Sequence, residues 1–319
     1  MLVYLSVTLA SKQRPVYAIS GPTASGKTAL GVELALKIGG EIINCDSVQI
    51  YSGIQIATAK PSDEERRGVR HHLIDYVDPC VNYTAADWAA DAARVIAEIE
   101  SRGKTAILVG GTGFYLRTLR EPLFESPKTD LRLRERLSII HKNREAEYLH
   151  RMLKRLDPGA ALKLPPRDYV RVIRGLEVFF QTGKPISAHQ PNRAEPSEFA
   201  GRIRLFVLNP PRHVLYEKID RRTEQHFANG LVDEVVQLRA GGLSDDTNAL
   251  GAHAYRRACE YLCGTRDLAS AIEKAQQDVR NYAKRQLTWF RRESGVTWLD
   301  GFGDDPAIFD VLLAKIGVD

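Results

Sequence analysis

Cysteine is scarce in this chain: four in 319 residues, Cys45, Cys80, Cys259 and Cys263, with no C-x-x-C pair and no Cys/His cluster. That excludes a disulfide-stapled secreted scaffold and a clustered zinc site, and it predicts reduced thiols in a cytoplasmic protein. Long apolar runs are missing too. Leu2 to Ala10 is too short to span a bilayer and has no basic segment before it, so it reads as an extra edge strand or the product of a misplaced start codon rather than a secretion signal. Internal repeats, low-complexity linkers and heptads are also absent, which argues against solenoids and coiled coils and predicts a monomer. Excess charge of one sign is small: 45 Lys and Arg against 40 Asp and Glu give +5 and a pI near 8.9. This is only a weak pointer to a polyanionic partner, although the basic residues bunch after residue 128.

What is present is an ordinary globular composition, 44% hydrophobic, enough for a sizeable core or a core with an appended unit. One stretch organises the rest. Gly21-Pro22-Thr23-Ala24-Ser25-Gly26-Lys27-Thr28 fits G-x-x-x-x-G-K-[ST], with a short buried strand predicted before it at Pro15 to Ser20 and a helix after it at Thr28 to Ile38. Glycines in such a loop let backbone N–H groups turn onto anionic oxygens, and the helix N-terminus adds partial positive charge. Lys27 is then placed for a terminal phosphate and the Thr28 hydroxyl for Mg²⁺. The motif does not say which phosphate ligand binds, or whether phosphate is transferred or leaves.

Two further strand ends converge on this loop in a parallel α/β sheet, where ligands meet the carboxyl ends of strands. A predicted strand at Glu41 to Cys45 delivers Asp46, Ser47, Val48 and Gln49; for Asp46 alone, a turn or cap role is as natural as a chemical one. A third strand, Thr105 to Val109, runs into Gly110-Gly111-Thr112, glycines that suggest close backbone approach to a ligand with Thr112 offering a hydroxyl. Thr84 with Asp87 predicts a capping box opening a helix to about Arg102. The adjacent His71 and His72 point different ways from most backbones, which disfavours a metal pair.

From about 125 to 202 the composition shifts to dense Arg, Lys and Glu at helical spacing, predicting a helical insert of three short helices that breaks the strand–helix alternation. The expected division is 1–124 with 203–319 as catalytic core and 125–202 as insert. Within the insert, a helix from Tyr169 to Gln181, capped by Asp168, carries Arg171 and Arg174. Such charges are usually a solvated helix face, the alternative being contact with a phosphate backbone. Arg204 to Leu208 returns to strand; a long amphipathic helix from about Arg212 carries Arg222 and continues past Gly230. A last helix, about Leu268 to Arg292, interleaves Lys284 and Arg285 with Tyr282, Trp289 and Phe290, a pattern that serves either a core helix or RNA contact.

The order of these features is more specific than any one of them. The phosphate loop, Asp46-Ser47 with Gln49 and Tyr51, Thr58-Ala59-Lys60-Pro61, His71-His72-Leu73, Gly110-Gly111-Thr112, Arg174-Gly175-Leu176-Glu177-Val178 and Lys284-Arg285-Gln286-Leu287-Thr288-Trp289 together resemble the tRNA dimethylallyltransferase (tRNA isopentenyltransferase, IPP transferase) family over about residues 15–300. The resemblance implies a P-loop NTPase-like parallel sheet flanked by helices, with an inserted all-helical tRNA-binding domain. It implies that the loop, Gly21 to Thr28, holds the diphosphate of dimethylallyl diphosphate with Mg²⁺ and with Arg222, and that the N6 amine of the adenosine just 3′ of the anticodon is prenylated. Asp46 is implied as base or orienting acceptor and Thr112 as an assisting group. Asp46, Ser47, Val48 and Gln49 are implied as contacts to the target base, and Val170, Arg171, Val172, Ile173 and Arg174, with Lys284 and Arg285, as contacts to the tRNA anticodon stem-loop.

Two positions depart from the family pattern. Ala57 replaces a common Gly, and Ala254-Tyr255-Arg256-Arg257 replaces a Gly-Tyr-basic-acidic/amide motif, after an unusual Gly251-Ala252-His253. Two other readings predict different behaviour: a small-molecule P-loop kinase would consume ATP, and an RNA-binding protein that senses nucleotide would tolerate loss of Asp46.

Overall fold

The computed structural model describes residues 14–124, 126–190 and 195–318; the apolar segment 2–10 lies outside them. Among the described residues six strands form one sheet in the order β3-β2-β4-β1-β5-β6, every pair parallel: β1 Val16–Ser20, β2 Gly40–Asn44, β3 His71–His72, β4 Thr105–Val109, β5 Ile203–Leu208 and β6 Val296–Leu299. The central strands are apolar throughout because both faces are covered. In β1, Val16 and Ala18 enter one core and Tyr17 and Ile19 the other. The same period of two divides Ala106 and Leu108 from Ile107 and Val109 in β4.

This order positions the site. The chain leaves β1 for one side of the sheet to build β2, β3 and β4, and continues on the other side as β5 and β6, so β1 lies at the topological switch point. Pairing of Ile19 with Val109 and of Asn44 with Val109 brings the carboxyl ends of β1, β4 and β2 level. Three loops therefore emerge side by side: 21–26, 110–112 and 45–49.

The chain divides into two units, 1–120 with 197–319, and 121–196. The sheet unit resumes earlier than the expected residue 203 because Phe199 is buried in its core and the Ser197 hydroxyl donates to the Leu119 carbonyl at 3.0 Å. The second unit contains five helices among the described residues, not three: Leu131–Asn143, Tyr148–Leu156, Pro158–Lys163, Tyr169–Thr182 and Ile186–His189. Leu137, Leu149, Leu153, Val172, Ile173 and Leu176 make its core. Within it, Arg134 grips the fully buried Glu177 through two bonds of 2.6 and 2.8 Å, so part of the charge run read as solvated is internal.

The remaining corrections are local. The long helix expected from Arg212 is broken: Gly230, at φ +92°, separates Arg212–Ala228 from Leu231–Ala240. Helix Ala85–Ser101 does open with the Thr84/Asp87 capping box. The two histidines form the short edge strand β3, where His72 Nε2 meets Glu41 at 2.7 Å and His71 Nδ1 meets the Val69 carbonyl at 2.9 Å. The last long helix stops at Phe290, and β6 and a helix Pro306–Ile316 follow it.

Candidate active site

The loop after β1 is tightly wound. Gly21 and Gly26 have φ of +147° and +83°, and Ala24 adopts φ +63°, a left-handed conformation that costs an L residue about 1–2 kcal/mol. Lys27 and Thr28 begin the helix Lys27–Ile38, and the Lys27 ammonium folds back on the Pro22 carbonyl at 2.6 Å. The Ser25 hydroxyl is buried with no partner among the described residues. An orphaned polar atom of this kind fits a loop shaped to hold an anion.

Arg222, from the helix Arg212–Ala228, donates to the Thr23 hydroxyl and brings a second cation to the loop. A cavity of about 510 Å³ opens here, with Lys27, Thr28, Asp46, Arg222, His226 and Tyr282 in its walls. Burial pushes the Lys27 pKa down to about 8; the Asp46 carboxylate opposes that shift and Arg222 adds to it. Burial and Arg222 also push His226 down to about 4, so it is neutral at pH 7 and the two cations dominate. Among the described residues no three His, Cys, Asp or Glu side chains gather as a metal cage. One Thr28 hydroxyl beside a phosphate loop is still a donor set that suits Mg²⁺ held mainly by ligand oxygens and water.

Asp46 follows β2. Its Oδ1 accepts from Val48 N at 2.9 Å and Gln49 N at 3.3 Å, leaving Oδ2 without a partner among the described residues. It therefore caps a turn and also presents a carboxylate oxygen to the cavity. Thr112 braces this turn: its N–H donates to the Cys45 carbonyl at 3.1 Å and its Oγ1 accepts from Ser47 N at 3.0 Å. Thr112 lines neither this cavity nor its neighbour. Gly110 is required because a Cβ there would stand 2.1 Å from the Cys45 carbonyl oxygen.

Two residues named in the last helix but not assigned to this site from the sequence complete the arrangement, both on helix Leu268–Phe290. Buried Gln286 accepts from Thr23 N at 2.9 Å and donates to the Gly111 carbonyl at 2.9 Å, tying the phosphate loop to the loop after β4. Tyr282 turns its hydroxyl toward Thr112 and joins Asp46 in the cavity wall. Helical spacing puts positions 282, 283, 286 and 290 on one face but does not name what that face meets. Beyond Asp46, a second cavity of about 370 Å³ is walled by Tyr51, Tyr83, Tyr115, Asn248, His253 and Tyr282.

A family model described as IPP transferase matches residues 49–293. The chain belongs to that family. It is 46% identical over 301 residues to the tRNA dimethylallyltransferase of Geobacter metallireducens, covering 93% of this chain and 95% of the relative, and 46% identical to that of Geobacter sulfurreducens over 94% and 95%. Among solved structures, the full-length tRNA isopentenylpyrophosphate transferase of Bacillus halodurans aligns with a TM-score of 0.69 at 37% identity over 96% of both chains. A eukaryotic dimethylallyltransferase acting on tRNA aligns with a TM-score of 0.76 at 27% identity, over 95% of this chain and 77% of that one.

In this IPP transferase the residues expected to meet RNA divide into two groups. Lys284 and Arg285 are exposed, as are Val170 and Arg171, the latter paired with Asp168. Val172 and Ile173 are not: they are 1% and 5% exposed within the core of the insert, so their side chains are unavailable to RNA. Arg174 is committed to Glu177 at 3.3 Å, the Ser126 hydroxyl at 2.8 Å and the Pro127 carbonyl at 2.6 Å. Trp289 packs under Arg117, 4.2 Å from the guanidinium carbon, and edge-on to Phe114, so it braces the helix rather than offering a stacking face. The two departures from the family pattern meet at one contact: Ala57 N donates to the Tyr255 hydroxyl at 3.2 Å, one residue from Ala254.

Proposed function

We infer that the protein transfers a dimethylallyl group to the N6 amine of the adenosine immediately 3′ of the anticodon in tRNA, releasing diphosphate. The observation that carries this reading is the placement of Asp46 between a cationic cavity and an aromatic one. Dimethylallyl diphosphate enters the first through the phosphate loop, Lys27 and Arg222; the flipped adenine enters the second, whose tyrosines suit a nucleobase. The N6 lone pair forms the new bond to C1 of the donor as the C1–O bond breaks, its electron pair leaving on diphosphate. The N6 proton passes to the Asp46 carboxylate.

Lys27, Arg222 and the loop backbone stabilise the charge that grows on the leaving group, the largest task in such a displacement. Thr28 would hold Mg²⁺, which would supply further neutralisation of the diphosphate. Thr112 keeps Asp46 aimed. The exposed basic residues of the insert suit the RNA: residues 121–196 hold 15 Lys and Arg against 10 Asp and Glu, which accounts for the whole +5 formal excess.

Intact-mass analysis of an unmodified anticodon stem-loop incubated with protein, Mg²⁺ and either dimethylallyl diphosphate or ATP tests the reading. One dimethylallyl gain with the prenyl donor alone is expected. Consumption of ATP without any gain in RNA mass would replace it with phosphoryl transfer.

A further inference from the structure

Asp46 and Tyr282 are the only described residues that wall both cavities. Whatever atoms react across the junction must pass these two side chains. The Tyr282 ring is fixed on its flanks, with His253 at 5.1 Å between ring centroids and the Arg285 guanidinium carbon 5.8 Å from its centroid. Its hydroxyl end therefore has little freedom; it faces Thr112, and with Asp46 it flanks the junction of the two cavities. Burial and the Asp46 charge both disfavour ionisation of the phenol, so the group keeps its proton and can donate it in a hydrogen bond.

An acceptor carboxylate next to a donor hydroxyl is a two-point pattern. Adenine presents its complement on the Watson–Crick edge, where N6–H donates and N1 accepts. Guanine presents the reverse, with O6 accepting and N1–H donating, and would face Asp46 and Tyr282 with like groups. A site built to bond one pattern rejects the other because its buried polar groups are left unpaired.

We propose that Tyr282 is a specificity-determining residue of the prenyl transfer, its hydroxyl donating to N1 of the acceptor adenine while Asp46 accepts from N6. The inference rests on the function proposed above and adds the second point of contact.

An atom-level cycle tests it. Stem-loop RNAs carrying adenosine or 1-deazaadenosine at the target position are prenylated by the wild-type protein and by Tyr282→Phe, which keeps the ring and its packing. Wild type should lose roughly tenfold in kcat/KM on the 1-deaza substrate, the usual scale of one hydrogen bond in a closed site. Tyr282→Phe should show a similar loss on adenosine and no further loss on 1-deazaadenosine. If 1-deazaadenosine penalises the variant as heavily as wild type, or penalises neither, N1 is not bonded by Tyr282 and the proposal fails. Absence of product with wild type and ordinary adenosine would instead overturn the prenyl-transfer reading. Tyr282→Leu with an unchanged melting temperature gives a control for ring packing: it should exceed the Tyr282→Phe loss on adenosine, and equality with wild type would also overturn the proposal.

Discussion

Lys27 illustrates how a single residue is held away from its own preference. Its ammonium is buried beside Arg222, and its pKa of about 8 lies below the ordinary 10.5. An unfolded chain therefore binds more protons than the folded one between pH 8 and 10.5, so this group makes stability rise with pH across that window and lowers it uniformly below. Lys27→Met should raise the Tm of the ligand-free protein by a few degrees while abolishing diphosphate binding, as scanning calorimetry with and without diphosphate will show. The same lysine sets a pH dependence for binding. Diphosphate favours the charged form of Lys27, so affinity measured by titration calorimetry, after subtraction of the ligand's own ionisation, should be flat below pH 8 and fall above it, with proton uptake by the protein on binding; a flat corrected profile to pH 10 would contradict the assigned contact. Asp46→Asn should lower kcat by about 10² or more with little change in RNA affinity, since a carboxylate acting on a transferred proton is felt in the chemical step.

Elements place these residues, and here the sequence was informative to different degrees. The three strand ends and the loop could be read because buried parallel strands are continuous apolar runs ending in glycine or polar turns. Strand β6, four residues long and partly exposed, offered no such run. Asp46 and the loop carry their chemistry in residue type, whereas Gln286 and Tyr282 acquire theirs from packing some 170 to 260 residues away in the chain, which no local pattern encodes. The inward turn of the Val172 and Ile173 side chains was hidden for the same reason: a motif names a helix but not the face that faces inward. Gln286→Leu is expected to break both ties, strand Thr23 N and the Gly111 carbonyl, and cost about 2–4 kcal/mol in denaturant unfolding together with weakened diphosphate binding. Unchanged stability would mean the two loops are held by the sheet alone.

On the scale of the molecule, charge is partitioned: the sheet unit is formally neutral and the insert carries the excess. Association with RNA should therefore depend on salt mainly through the insert. Arg171→Ala should reduce the slope of log affinity against log salt by about one, in filter-binding or anisotropy measurements. Arg174→Ala should leave that slope alone and instead lower the melting temperature, because Arg174 neutralises the buried Glu177.

The phosphate loop lies near the start of the chain, yet almost everything that shapes it comes near the end. Arg222 reaches Thr23, Gln286 takes the Thr23 amide, and Gly303 N–H donates to the Ser25 carbonyl at 2.8 Å, so close that a Cβ on Gly26 would lie 2.8 Å from the Gly303 and Asp304 nitrogens. During synthesis the ribosome releases residues 21–28 long before those partners exist. The nascent chain therefore carries a readable phosphate motif with no working phosphate site, and competence arrives only when the strand β6 and the turn beyond it have emerged.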